Sequence, residues 1–313
     1  MNAPRHRIQR RPLHGVLLLD KPVGLSSNDA LQKAKWLLRA EKAGHTGTLD
    51  PLASGLLPLC FGAATKFSQV SLDADKRYRA TLQLGQTTTT GDAEGELLRE
   101  RPVTHDPDRL RAVVAGFVGA IEQVPPMHSA LKHEGKALYQ YARAGVTIER
   151  EARAVTIHAI DIVACDHAQV TLDVRCSKGT YIRTLAEDIG EALGCGAHLC
   201  ALRRTGSGPL DVADALTLDQ LAGLDEAGRE ARLLPPDALL ADWPAVRLPA
   251  DEAGRFLTGL RRRVALADAA QVRVYGPAQD DRTLKESLLG SAHITAGELI
   301  ADRLLSPAEI VSL

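Results

Sequence analysis

Asp50 is the carboxylate with the most constrained setting in this 313-residue chain. It lies in Gly44-His45-Thr46-Gly47-Thr48-Leu49-Asp50-Pro51-Leu52-Ala53-Ser54-Gly55, a run of glycines and hydroxyl residues closed by proline. Proline drives the residue before it toward extended angles and away from helix. The glycines upstream let main chain or a ligand approach closely. An ionisable group on such a loop suits a site better than a core. A carboxylate there can attack or electrostatically support an anomeric carbon, as in retaining glycosidases, or abstract a proton. Each role needs the ionised form, which a neighbouring arginine would favour and orient by depressing the pKa. Asp-Pro also initiates ordinary turns, so the residues alone leave two readings, turn or site.

The surrounding pattern supplies elements to hold this loop. Residues 15–20 read as a short buried strand, and Ser27 or Asn28 can cap a helix from about 29 to 40. After the loop, 63–72 reads as a second helix. Tyr78, Ala80, Leu82 and Leu84 alternate with Arg77, Arg79, Thr81 and Gln83, the pattern of a half-buried strand. Asp106 or Asp108 caps a helix carrying Leu110, Val113, Val114 and Phe117. Residues 153–163 and 168–176 read as paired strands, followed by a helix over 181–193 that ends at Gly194. Strands and helices without a strict βαβ repeat indicate an α+β fold.

Composition narrows the function classes. A hydrophobic content of 45% with 25% charged residues is ordinary for a globular protein. The longest uncharged run, Pro51 to Thr65, is too short and too broken to span a bilayer. The basic N-terminus (Arg5, Arg7, Arg10, Arg11) lacks the apolar core of a signal peptide, so a cytoplasmic protein is expected. Five cysteines form no Cys-x-x-Cys pair, and Cys195, His198 and Cys200 lack a fourth ligand for structural zinc, so no metal is expected. The formal net charge is −1, but residues 1–45 hold nine Lys/Arg against three Asp/Glu, while 205–260 hold four against ten. That asymmetry permits a basic face for phosphates with an acidic back.

The loop resembles the catalytic-aspartate motif of the TruB-type tRNA pseudouridine synthases. Four further blocks resemble that family in family order: LLLDKPVGLSSND at 17–29, ATKFSQVSLDADKRYRATLQLGQTTTTGDAEG at 64–95, SKGTYIRTLAEDIG at 177–190 and CGAHLCALRRTGSG at 195–208. The resemblance implies a pseudouridine synthase fold: a central mixed, largely antiparallel sheet flanked by helices and loops, plus a small C-terminal β-rich PUA-like domain. It implies a catalytic domain over 1–245, with a thumb-like insertion at about 125–152 and a helical bridge at about 205–245. The PUA-like RNA-binding domain would occupy 246–313.

By the same resemblance Asp50 is the essential catalytic aspartate and Arg183 its charge partner. Tyr78 stacks on the flipped uracil, Tyr181 lies beside it, His45 fills the space vacated in the RNA, and Leu202 closes the pocket. Pattern alone reads Tyr78 and Leu202 as core residues and Arg183 as a solvated helix residue. Lys21 is a backbone or phosphate contact, and Asp92 holds a loop or an arginine. Lys132, Lys136, Arg143, Arg150 and Arg153 are phosphate contacts of the thumb. The family usually has tyrosine where this chain has His128.

The implied reaction isomerises uridine-55 in the TΨC loop of tRNA, with no cofactor. Because a stacked uridine cannot reach a carboxylate, the nucleotide must be flipped out. A stand-alone, monomeric enzyme is expected, since the thumb-like segment suits a protein that grips its own RNA. The catalytic subunit of a guide-RNA particle and an RNA-binding or tRNA-folding protein with dispensable catalysis are the alternatives. A glycosidase-like hydrolase would want a second carboxylate or a metal site, which no motif spells out.

Overall fold

The computed structural model describes residues 9–104, 106–277 and 286–313. Arg5 and Arg7 of the N-terminal basic cluster lie outside them. The main sheet runs Gly15–Lys21, Ala53–Phe61, Ala197–Ser207, Lys76–Leu84, Gln169–Cys176, Arg153–Asp166, Gly119–Gln123. Neighbours on this path are antiparallel except Ala53–Phe61 with Ala197–Ser207, which are parallel. The sheet is thus mixed and largely antiparallel, as the resemblance implied. In Lys76–Leu84 the alternation works as read: Ala80, Leu82 and Leu84 are buried while Arg77 and Arg79 are exposed. Helix Ile182–Leu193 covers that apolar face with Ile182, Leu185, Ala186 and Ile189. It stops at Gly194, whose left-handed φ of 89° glycine adopts without strain.

Local capping departs from the sequence reading in an informative way. Helix Ser27–Leu37 is capped by Ser26, not by Ser27 or Asn28. The Ser27 hydroxyl is engaged elsewhere, on the loop that carries Asp50. The helix stops short of residue 40 because Arg39 turns to φ 53°. Segment 63–72 divides into a 3-10 turn, Gly62–Phe67, and a short helix, Ser68–Asp73. Asp106 caps Pro107–Ala115, which leaves Phe117 beyond the helix end.

The chain leaves the sheet edge at Gln123 and rejoins it at Arg153, and these two residues face each other in register. Everything between is an excursion from one point on the edge. It contains the hairpin Lys132–His133 with Lys136–Ala137 and helix Leu138–Arg143. Residues 205–207 still belong to the Ala197–Ser207 strand, so the bridge starts later than expected. It contains helices Leu218–Gly223 and Glu226–Glu230 and the 3-10 turn Pro236–Leu240.

A second, five-stranded sheet follows: Ala245–Arg247, Ala269–Pro277, Glu286–Thr295, Glu298–Leu304, Arg262–Arg263. This β-rich unit is consistent with the PUA-like architecture. One hydrophobic cluster joins it to the main sheet, bringing Val16, Leu18, Cys60 and Phe67 against Val274, Leu288 and Phe256. Lys66 reinforces the join by donating to the Leu304 carbonyl at 2.9 Å and to Glu309 at 2.6 Å. Among the described residues no helix is long and apolar enough to cross a membrane.

Candidate active site

The Asp50 loop arcs along one side of strand Ala53–Phe61. That side pairs with Leu202–Arg204 near its start and with Ala43–His45 near its end, and residues 46–52 bridge the gap. Ser27 Oγ accepts from Leu49 N–H at 2.7 Å and donates to the Leu49 carbonyl at 3.0 Å. Gly24 N–H donates to the Pro51 carbonyl, and Ala53 N–H to that of Asp50. The backbone on both sides of the carboxylate is therefore tied down before any substrate arrives.

Arg183 reaches this carboxylate from the first turn of helix Ile182–Leu193. Its Nη2 lies 3.0 Å from Asp50 Oδ2, and its Nη1 lies 3.5 Å from Asp92 Oδ2. The same guanidinium donates to the carbonyls of Thr90 (3.1 Å) and His128 (2.6 Å). Asp92 is held in turn by the Thr90 hydroxyl (2.6 Å) and the Glu94 N–H (3.1 Å). Gln123 braces the start of the helix: its side chain accepts from Tyr181 N–H and donates to the Tyr181 carbonyl. The fork geometry of arginine suits this four-way role.

These groups open into a cleft of about 500 Å³ lined by Asp50, His45, Asp92, His128, Arg143 and Arg183. A larger groove of about 930 Å³ beside Trp36 and Leu218 is lined instead by the Asp20–Arg203 ion pair and contains neither Asp50 nor Arg183. Burial pushes the Asp50 carboxyl above its ordinary value; Arg183 and Lys21 pull it down, and Asp92 pushes it further up. The net direction corrects the expectation that the arginine would leave this pKa depressed. The side chain keeps 40% of its surface at the cleft, so water screens part of the effect. Burial, then the Arg204 charge, pushes the His45 imidazole below its usual range. Among the described residues no cluster of three or more His, Cys, Asp or Glu could hold a metal. His198 Nδ1 lies against the Gln86 carbonyl, and Cys200 Sγ against that of Thr81.

Comparison with known proteins bears on what such a cleft is for. The model of the TruB family pseudouridylate synthase N-terminal domain matches residues 35–182, and that of the tRNA pseudouridylate synthase B C-terminal domain matches 183–241. A tRNA pseudouridine synthase B of Verminephrobacter eiseniae is 58% identical, covering 99% of this chain and 94% of its own length. Its namesake in Burkholderia mallei is 60% identical, covering 97% of each chain. The chain belongs to the TruB family of pseudouridylate synthases. Among solved structures, the crystal structure of a Cbf5-Nop10-Gar1 complex contains a similar chain. Its TM-score is 0.72 at 26% identity, covering 97% of this chain and 87% of that one.

The residues expected from the TruB resemblance fall into three groups. Asp50, His45 and Arg183 share the cleft. Tyr78 and Leu202 lie on the neighbouring strands Lys76–Leu84 and Ala197–Ser207, outside the cleft's lining, where Leu202 is opposite Ala53 on one side and Ala80 on the other. Tyr181 precedes the Arg183 helix, and burial raises the pKa of both tyrosine phenols. His45 ends a paired strand, anchored opposite Leu59 and separate from the turn that carries Asp50.

Two of the basic residues are engaged by the protein's own backbone, for Lys21 one of its two expected contacts. Lys21 is fully buried, and its ammonium donates to the carbonyls of Pro22 and Leu25, so it faces backbone and not solvent phosphate. Burial brings its pKa down to about 8. Arg150 donates to the carbonyls of Pro125 and Ile148, closing the base of the thumb excursion. Lys132, Lys136, Arg143 and Arg153 are exposed or partly so at the thumb and its root. The Lys136 ammonium sits 4.6 Å from the Tyr141 ring centre, and the Arg143 guanidinium 5.3 Å from that of Tyr139. Sequence reasoning missed Ser27, Gln123 and Arg204. Arg204 shares a strand face with Leu202, but only once the register of the strand is fixed by its neighbours does that face become an inside one.

Proposed function

We propose that this protein converts uridine-55 in the TΨC loop of tRNA to pseudouridine, as a stand-alone, cytoplasmic monomer without a cofactor. The observation that carries this reading is the Arg183 guanidinium joining Asp50 to Asp92 in the lining of an open cleft. Relatives at about 60% identity over nearly the whole chain, named tRNA pseudouridine synthase B, support the same substrate. The flipped uridine would enter the cleft with its base over Tyr78 and Leu202, while His45 takes the space it leaves. Asp50, ionised and oriented by Arg183, would act at the ribose or on the base. Lys132, Lys136, Arg143 and Arg153 would grip phosphates from the thumb, and we assign the sheet from residue 246 onward as a second, PUA-like RNA contact.

A purified sample incubated with unmodified tRNA transcript tests this. Base-specific chemical modification and primer extension should show a stop at the T-loop uridine, lost in Asp50→Asn while tRNA binding persists. Product only with added guide RNA would mean a particle subunit, and released uracil a hydrolase. Equal tRNA folding by wild type and Asp50→Asn, without product, would leave a folding protein.

A further inference from the structure

Arg204 is the largest fully buried side chain of the described residues, with 1% of its surface exposed. Its Nε donates to the Leu56 carbonyl at 2.6 Å, and Tyr78 faces it across the sheet, with the phenol close enough to act on the guanidinium electrostatically. No carboxylate lies within ion-pair distance among the described residues, and Nη2 is buried with no hydrogen-bond partner at all. Arginine cannot shed its proton to escape such a site. An unpaired buried charge costs several kcal/mol as a rough figure, so it persists only where the surroundings impose it.

The surroundings here are the catalytic loop itself. A Cβ on Gly47, which has φ 86°, would lie 3.2 Å from Arg204 Nη1; one on Gly55, at φ 100°, would lie 2.3 Å from the Arg204 carbonyl oxygen. Two glycines of the Asp50 motif are thus the space into which Arg204 fits. The titratable groups facing it are Lys21 from the first strand, His45 from the strand before the loop, and Lys76 and Tyr78 from the strand beside it. None of these is an acid that could neutralise it at pH 7.

We propose that Arg204 is a positioning residue of the reaction, which fixes the Tyr78 phenol and the Gly47 turn from below and lends its unneutralised charge to the base held above Tyr78. The inference rests on the functional reading given above. When the bond between C1′ and N1 of uridine breaks, its electron pair leaves with the uracil, which becomes an anion. The anion persists until C5 takes over the bond to C1′, C5 loses its proton and N1 gains one. A fixed positive charge under the base platform favours that state over the neutral uridine.

Single-turnover rates and tRNA dissociation constants for Arg204→Met, Arg204→Lys, Tyr78→Phe and the double variants test this. Arg204→Met should lose about 100-fold in rate with tRNA affinity unchanged within about threefold. Arg204→Lys should recover about tenfold of that loss by restoring charge without the planar fork. The Tyr78→Phe/Arg204→Met pair should lose clearly less than the product of the two single losses, because part of what Arg204 does passes through the phenol and part acts directly on the base. A wild-type rate in Arg204→Met, or losses that multiply, would overturn the proposal; if Arg204→Met does not fold, the Arg204→Lys cycle with Tyr78→Phe decides. Should the wild type form no pseudouridine, the functional reading fails separately. The ¹³Cζ tyrosine resonance missing in Tyr78→Phe then reports on the contact: a shift in Arg204→Lys upholds it, and no shift overturns it.

Discussion

Two buried arginines flank the loop that carries Asp50, and their charges are handled in opposite ways. Arg183, on the helix side, meets two carboxylates and two carbonyls, so its charge is matched and its geometry fixed. Arg204, on the sheet side, meets one carbonyl and one phenol. Its field spills onto its neighbours and depresses the pKa values of Lys21, His45 and Lys76, secondary to burial in each. A matched arginine orients a catalytic group but adds little field beyond its partners. An unmatched one cannot orient a carboxylate, yet it biases everything near it toward negative charge. The loop has a positioning wall and an electrostatic floor.

Substitutions separate the two, beginning with the loop itself. Asp50→Asn should lower the single-turnover rate by on the order of 10⁴-fold, whatever either arginine does, and persistence of activity would dismiss both roles. Arg183→Met should come next, with a rate loss of about 10²–10³-fold. It should also lose about 3–5 kcal/mol of stability by chemical denaturation, because buried Asp92 is left unpaired. On the Arg204 side, Gly55→Ala collides with backbone and should be destabilised more than Gly47→Ala, where only a guanidinium tip must yield. Gly47→Ala should cost about 1–2 kcal/mol for a left-handed alanine, with a fall in rate as Arg204 is displaced.

The smallest effect is on pH dependence. Since folding raises the Asp50 pKa and the proposed chemistry needs the carboxylate, activity should fall on acidification at a pH above that of an ordinary aspartate. Asp92→Asn should move this limb down, Arg183→Met should move it up, and Arg204→Met should leave it in place. Stability runs the other way. A raised carboxyl pKa favours the folded state below the unfolded value, and that contribution is lost as pH climbs through the folded value. Wild type should therefore lose ground against Asp50→Asn in denaturant melts between acid and neutral pH.

Much of this arrangement was legible in the sequence wherever local chemistry decides the outcome. The strand at 76–84 and the helix ending at Gly194 follow from period and cap. The Asp50–Arg183 pairing followed from resemblance, and the geometry agrees with it. What was not legible depends on register. An arginine in Ala-Leu-Arg-Arg reads as exposed, and only the meeting of Ala53–Phe61, Ala197–Ser207 and Lys76–Leu84 puts Arg204 inside while Arg203 pairs with Asp20 at the edge. Burial likewise decides the net pKa of Asp50, and burial is a property of the whole fold. Ser27 was misassigned for the same reason: its hydroxyl serves a loop twenty-two residues away instead of its own helix.

The shared cluster between the two sheets has a mechanical consequence. With Val16 and Cys60 packed among Val274 and Leu288, and Lys66 latched to Leu304 and Glu309, the sheets are not beads on a string. They should melt as one cooperative unit, and removing the C-terminal sheet would expose the apolar residues of the main sheet that it packs against. The span from the cleft to the far sheet is therefore a fixed gauge, and an RNA touching both is measured against a rigid jig and not wrapped by a hinge.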